Sequence, residues 1–534
     1  MKKILYIALA PIMLLASVGC KKSFSDLAQN QNQPSNVPPG LLMTGVTNGM
    51  YEGPGGNNDV WCQYFLYNYD YYGNNRYDFG SATSYYTTLE NVVKMEQEAA
   101  RNGGAAVNPY NTLGKFFRAY FLTRMSLQMG DVPMTDALQG LNNLTPTYSA
   151  QKDVFKQALL WLDTANTNIT QLIFKPDLSN TAPGQILTGD IYFGNNLKKW
   201  QKVINTLRLR LLINLSKKTA TDPDLNIAQQ FATIINNPTQ YPIMQSAADN
   251  LQYTYVNPTN YYPDNPNNFG NNGSRKNMSA THIGLLTSLS DPRVFVVAEP
   301  SRYMVDTLHK SLTDFASFIG ADPGMDLGVM YNNAGLQRYS FLNRQRYYST
   351  YTAENCIQIG YPEMCFNIAE AINRGWVSGN AETYYIAGIK ASMNFYGVPA
   401  DGGSFTAYAY RPGSTDVTNI GNYDASTVNF NWNTYYTQAA VAYAGNNATG
   451  LTQILQQEYL ALFRHSGLES YYTYRRTGVP NFTTGPGTGN SGRIALRFQY
   501  PSSERSSNTV NYNAALKSQY GGNDDINGVM WILK

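Results

Sequence analysis

A chain of 534 residues is long enough to bury one large core or two interleaved ones. With 14% charged side chains and a formal net charge of +3, it carries neither the basic stripe of a nucleic-acid binder nor an acidic solvating block. Against this dilute charge, 13% of the residues are aromatic and 42 residues are Tyr. Tyr offers a stiff apolar face with a polar tip at small entropic cost, so the composition suits recognition of sugars or peptides in water.

The chain opens with Lys2 and Lys3, a short apolar run from Ile4 to Ala16, and then Ser17-Val18-Gly19-Cys20. A basic start, an apolar run and small residues before a Cys predict a lipoprotein signal peptide over residues 1–19, with Cys20 acylated as the new N-terminus. Ser17 departs from the Leu usual at that position. The apolar run is too short to span a bilayer. Each buried acyl methylene adds about 0.8 kcal/mol, so two or three chains on Cys20 would form a stable anchor. Residues 20–40 are polar, with Pro34, Pro38 and Pro39, and read as a flexible tether. The remainder, 41–534, reads as one domain of helical repeats interleaved with loop-rich segments.

Along that domain, Leu113, Phe116, Phe117, Tyr120 and Leu127 share one helical face, and Gly130 followed by Pro133 ends the element. Val154 to Ile173 continues the helical pattern, as does the stripe Trp200, Val203, Ile204, Leu207, Leu211 and Leu215. Cys365, Ile368, Ala369 and Ile372 form a stripe closed by Asn373-Arg374-Gly375, a left-handed cap. Tyr385, Gly388, Ile389, Ser392, Met393 and Tyr396 form the facing stripe, and small residues where the two would meet suggest a tetratricopeptide-like hairpin. Leu451 to Phe463 is a further helix. Long Asn-, Gly-, Pro- and Tyr-rich segments at 51–86, 253–278 and 397–449 are the loops expected to carry binding. The fold class is therefore mainly α, a helical-hairpin scaffold with a large irregular part.

The densest candidate for a ligand site runs from Trp61 through Tyr64, Tyr67, Tyr69, Tyr71, Tyr72 and Tyr77, interleaved with Asn68, Asp70, Asn74, Asn75 and Arg76. Sugar rings stack on aromatic planes while amides and Arg bond their hydroxyls, so Trp61, Tyr71, Tyr72, Asn74 and Arg76 are the residues selected. The competing reading is that Tyr67, Tyr69 and Tyr71 alternate along a strand and about half of these aromatics pack the core. Tyr261, Tyr262, Phe269, Tyr347, Tyr348, Trp432, Tyr435 and Tyr436 are secondary candidates. With so few charges, binding is expected to change little with salt; for a charged cargo, Arg76 is the first cation to test.

Catalytic and metal chemistry find little footing. His282, His309 and His465 lie far apart, so no zinc set forms by spacing, and no cofactor motif is present. Gly487, Gly489 and Gly492 match a phosphate-loop spacing, but Pro486 precedes them and an extended run follows in place of a helix. Asp59, Asp70 and Asp78 could supply the carboxylate pair of a glycoside hydrolase, which keeps an enzyme reading open beside a helical scaffold without small ligand. Besides Cys20 there are Cys62, Cys356 and Cys365; the last two either close a small loop or stand as buried thiols.

Several tags occur in order: Arg118-Ala119-Tyr120 running to Gly130-Asp131-Val132-Pro133, Trp200 with Leu207-Arg208-Leu209-Arg210, and Asp291-Pro292-Arg293. Further on come Ala369-Glu370-Ala371 with Arg374-Gly375, Arg475-Arg476-Thr477-Gly478 with Pro480, and Tyr500-Pro501 with Glu504 and Asn508. In this set the chain resembles the SusD/RagB family of outer-membrane nutrient-binding lipoproteins. The resemblance implies a tetratricopeptide-like scaffold and a position on the outer face of the outer membrane, capping a SusC-like TonB-dependent transporter. It also implies a lid that captures glycans or peptides and passes them to the barrel. Within those tags, Glu370 on a packed helix wants an Arg partner, since a buried lone carboxylate is unfavourable.

Overall fold

Helices account for most of the regular structure in the computed structural model, which describes residues 37–534. Cys20, the segment 1–19 and most of the segment 20–40 lie outside the described residues. The chain from Pro39 to Lys534 makes one compact unit. Its first helix, α1 (Pro39–Asn48), packs on α2 (Tyr86–Arg101), which packs on α3 (Pro109–Met129). The side chain of Asn108 caps α3 by accepting from the Asn111 N–H. Pro109 occupies the first turn, where its missing donor loses nothing, and Gly130 ends the helix at φ 96°. The apolar stripe of α3 was expected to leave a polar face, yet nearly the whole helix is buried, Arg124 and Gln128 included. The reason is tertiary: α2, α4 (Gln151–Phe174) and α5 (Leu197–Asn214) all lie against it. Helix α6 (Ile227–Asn236) closes this run against α5.

After α7 (Leu327–Gly335), a second set begins with α8 (Tyr361–Asn373) and α9 (Ala381–Tyr396), an antiparallel hairpin. The buried positions of α9 include the stripe Tyr385, Gly388, Ile389, Ser392, Met393 and Tyr396. Gly388 allows the approach, because a Cβ there would stand 2.6 Å from the Phe366 ring of α8. Gly375 takes φ 75° just beyond α8, the left-handed stop its sequence predicts. Helix α10 (Ala448–Ala461) lies on both members of the hairpin, and α11 (Glu469–Thr477) and α12 (Thr509–Tyr520) follow.

Charge pairs stitch distant helices through the core. Glu370 of α8 is fully buried and pairs with Arg476 of α11, Nη2 to Oε2 at 2.9 Å, and with Arg374 at 2.7 Å. Burial alone would raise its pKa; the two guanidinium groups outweigh that and hold it below the ordinary value. The pairing expected of Glu370 is therefore present, and stranding either charge would cost roughly 3 to 5 kcal/mol.

Strands are few and antiparallel in three pairs: β1 (Phe65–Tyr67) with β3 (Lys276–Met278), β2 (Leu251–Tyr253) with β4 (Cys356–Ile359), and β5 (Gly403–Tyr410) with β6 (Tyr423–Phe430). The β5–β6 ribbon lies inside the segment 397–449 that reads as loop. Its alternating Tyr, Thr and Val residues carry a strand signal that the surrounding Asn and Gly obscure. Of the two readings left open for Cys356 and Cys365, the structure takes the unbridged one. Cys356 sits on β4 and Cys365 on α8, and both are free and buried, as is Cys62. No helix among the described residues is long and apolar enough to cross a membrane.

Candidate ligand-binding site

Strand β1 ends at Tyr67, and the chain turns at once, with the Tyr72 N–H donating to the Tyr69 carbonyl at 3.1 Å. The alternation of Tyr67, Tyr69 and Tyr71 therefore does not continue as a strand. Asn75 reaches back to lock the strand end, accepting from the Tyr67 N–H and donating to its carbonyl, each at 2.8 Å. Tyr67 is buried with Phe65 and Val60, whereas Tyr71 is 82% exposed and Tyr69 41%. The turn thus lifts Tyr69 and Tyr71 off the core, while Tyr72 stays half-buried against Val60, Phe65 and Tyr67; Tyr69 to Tyr72 centroids lie 6.1 Å apart and Tyr71 to Tyr72 5.2 Å.

Two residues from elsewhere in the chain complete this platform. Tyr331, on the exposed side of α7, stands 5.5 Å from Tyr69. The Asp326 side chain caps α7 by accepting from the Gly328 and Val329 N–H groups, while Met330 and Ala334 anchor it in a small core with Leu66 and Tyr339. Arg275 immediately precedes β3, and its carbonyl accepts from the Asn68 N–H, so the end of the β1–β3 ladder delivers its side chain to the tyrosines. The guanidinium lies 5.3 Å from the Tyr69 centroid, 5.7 Å from Tyr72 and 6.0 Å from Tyr331. Next to Arg275, Lys276 of β3 pairs with the buried Asp264 at 2.6 Å, which Arg464 also meets at 2.7 Å.

Tyr331 and Arg275 also line a cleft of about 530 Å³. Its other walls are the 269–275 segment, Arg302, Arg344, Tyr410 at the end of β5 and the 411–414 segment that follows it. Aromatic faces at the mouth and polar groups inside are the ingredients of a site for an oligomeric ligand.

Of the residues selected from sequence, Tyr71 and Tyr72 belong to the platform. Trp61 is half-buried between Phe79 and Phe498, centroids at 4.6 and 5.2 Å, and its indole N–H donates to the Arg76 carbonyl at 3.2 Å. Asn74 accepts the Arg76 N–H at 3.0 Å in a local turn, and Arg76 is held by Asp78 at 2.5 Å. Tyr262, Tyr347, Tyr348 and Tyr435 are core residues, while Phe269 lines the cleft. Tyr261 meets Tyr351 at a tilt of 39° near the surface, and Trp432 stacks on Tyr436 with centroids 5.3 Å apart. Tyr331 escaped the sequence reading because it lies more than 250 residues from the Tyr-rich run and nothing local marks it, whereas Arg275 falls in the 253–278 segment expected to carry binding but was not singled out within it.

The three Asp residues do not make a hydrolytic pair. Asp59 is buried and accepts the Gly55 N–H at 2.7 Å; Asp78 is held by Arg76 and by the Asn490 N–H at 2.7 Å; Asp70 is exposed. Burial, only partly offset by Arg464, raises the pKa of Asp59 above its ordinary value. Among the described residues no group of His, Cys, Asp and Glu is placed to hold a metal ion.

The fold and the site thus define a binding protein built on helical hairpins, with an aromatic platform set beside a polar cleft. Residues 31–501 match the SusD-like family described as starch-binding and associating with the outer membrane, and the chain belongs to that family. It is by family a binding protein and not an enzyme, which removes the hydrolase reading. Two SusD homologues from Bacteroides fragilis superpose with TM-scores of 0.77 and 0.74 at 29% and 31% identity, each over 93% of this chain and 100% of the other. A chitin-binding SusD homologue from Flavobacterium johnsoniae shares the fold at TM-score 0.64 and 21% identity, over 92% of this chain and 94% of that one. No curated protein matches the sequence.

Proposed function

We propose that the protein is a surface-exposed lipoprotein, anchored through acyl chains on Cys20, that captures oligosaccharides and hands them to a SusC-like TonB-dependent outer-membrane transporter. The observation that carries this reading is the platform of exposed Tyr69, Tyr71 and Tyr331 with half-buried Tyr72 beside the 530 Å³ cleft, in a chain of an outer-membrane, starch-binding family. Stacking on several rings suits a chain of sugar units, and chitin binding by a relative of the same fold agrees with a glycan cargo. A carrier that must release its cargo binds it weakly, so dissociation constants in the micromolar to millimolar range are expected, roughly −8 to −4 kcal/mol.

Calorimetry against glycan and peptide panels tests capture. A glycan should bind in that range, and binding of peptides alone would remove the carbohydrate reading. Affinity purification from native outer membranes tests delivery. A large barrel protein should co-purify in stoichiometric amount, and its consistent absence after mild solubilisation would remove the transporter partnership.

A further inference from the structure

The cleft beside the tyrosine platform is lined by four arginines, Arg275, Arg302, Arg344 and Arg411, and by no lysine or carboxylate. Three of the four are engaged from behind. Arg344 pairs with Glu299 at 2.5 Å and donates to the Gly273 carbonyl. Arg302 and Arg411 share Asp424 at 3.3 and 2.7 Å, and Asp306 lies 3.9 Å from Arg302. Glu299, Asp424 and Asp306 thus balance three of the cations. Among the described residues the fourth, Arg275, has no carboxylate within ion-pair distance and no side-chain hydrogen bond; only the rings of Tyr69, Tyr72 and Tyr331 hold it. Those faces orient the guanidinium and leave its donors free, a poised but unfilled fork for a planar or tetrahedral oxyanion.

We propose that the ligand is an anionic glycan whose carboxylate or sulfate group is taken by Arg275 while a neighbouring sugar ring stacks on the tyrosine platform. This rests on the glycan-binding reading above and narrows it to acidic sugars. Arg275 belongs to both the platform and the cleft, so one ligand can meet the ring faces and the charge together. Arg76, the cation singled out from sequence, is already neutralised by Asp78 at 2.5 Å and leaves this role to Arg275.

The test uses the full chain in detergent and calorimetry with three hexasaccharides: an oligogalacturonate carrying carboxylates only, a sulfated neutral-sugar oligomer carrying sulfates only, and an uncharged chito- or malto-oligomer. At least one anionic oligomer should bind about ten-fold more tightly than the uncharged ones, equivalent to roughly 1.4 kcal/mol, and the tighter of the two names the anionic group. That preference should shrink as salt is raised. Arg275→Gln should abolish the preference, so that on this variant the anionic oligomers bind no more tightly than the uncharged one measured beside them. Arg275→Lys, which keeps the charge, should retain part of it, and melting curves check that both variants fold. Equal binding of charged and uncharged oligomers, or a preference that survives Arg275→Gln, would overturn the proposal while leaving glycan capture standing. Failure of every oligosaccharide to bind would overturn both readings.

Discussion

At the scale of single residues, exposure separates aromatics that can meet a ligand from those that hold the fold. Tyr69→Ala, Tyr71→Ala and Tyr331→Ala, whose rings are exposed, are each expected to weaken glycan binding by about 1 to 3 kcal/mol with little change in melting temperature. Trp61→Ala should do the reverse, lowering stability by roughly 2 to 4 kcal/mol while the folded fraction binds normally, because its ring packs on Phe79 and Phe498. Calorimetry paired with thermal melts decides; a binding loss at Trp61 without destabilisation would return it to the site. His282 offers a second residue-level test. Its ring stacks on Phe463 at 4.5 Å, neither ring nitrogen has a hydrogen-bond partner among the described residues, and burial lowers its pKa from 6.5 to about 3. Between those values the unfolded chain takes up a proton that the folded protein refuses, so the His282 contribution to stability falls as pH drops below 6.5. At pH 5 that amounts to about 2 kcal/mol. The melting-temperature advantage of His282→Phe over the parent should therefore grow from pH 7 to pH 5, and an equal difference at both pH values would rule this linkage out.

At the scale of elements, the helices were legible wherever apolar spacing and a stop signal coincided, as in α3, α5, α8 and α9. What the spacing does not carry is how tightly neighbours meet. Gly388 lies where α9 crosses Phe366, and an added methyl must displace a fully buried ring. Gly388→Ala should lower stability by about 1 to 3 kcal/mol even though Ala gains about 1 kcal/mol over Gly in helix propensity. Gly284, exposed in the Ala280–Ser288 helix with nothing within 4 Å of an added Cβ, is the control: Gly284→Ala should stabilise. Urea titrations of the two variants measure the contrast, and destabilisation of both would show that packing is not the cause. The β5–β6 ribbon was missed because its alternating residues sit among the Asn, Gly and Pro that mark loops, and pairing partners 13 to 27 residues apart leave no local trace.

At the scale of the whole molecule, the anchor proposed at Cys20 should be separable from the compact unit Pro39–Lys534. Cys20→Ala is expected to release the protein from outer membranes without altering its melting temperature, since the unit Pro39–Lys534 has its own core. Fractionation in a strain lacking the transporter checks this; continued pelleting with membranes would mean that acyl chains are not the anchor. Long-range ion pairs such as Glu370 with Arg476 hold that body together across more than a hundred residues of chain. Their presence was expected from the need of a buried carboxylate for a cation, while the identity of the partner became visible only once the helices were packed.

Sequence alone was enough for the helical class, the family tags, the candidate anchor and the Tyr-rich run, because each is written in spacing and composition along contiguous residues. Tertiary structure decided which tyrosines face solvent, since a turn after Tyr67 breaks the alternation that burial would otherwise follow. It also decided which of the cleft's arginines has no carboxylate partner among the described residues. Charge balance depends on which side chains converge in space, and Arg275, Tyr69 and Tyr331 meet only because the β1–β3 ladder and helix α7 bring three distant segments to one surface.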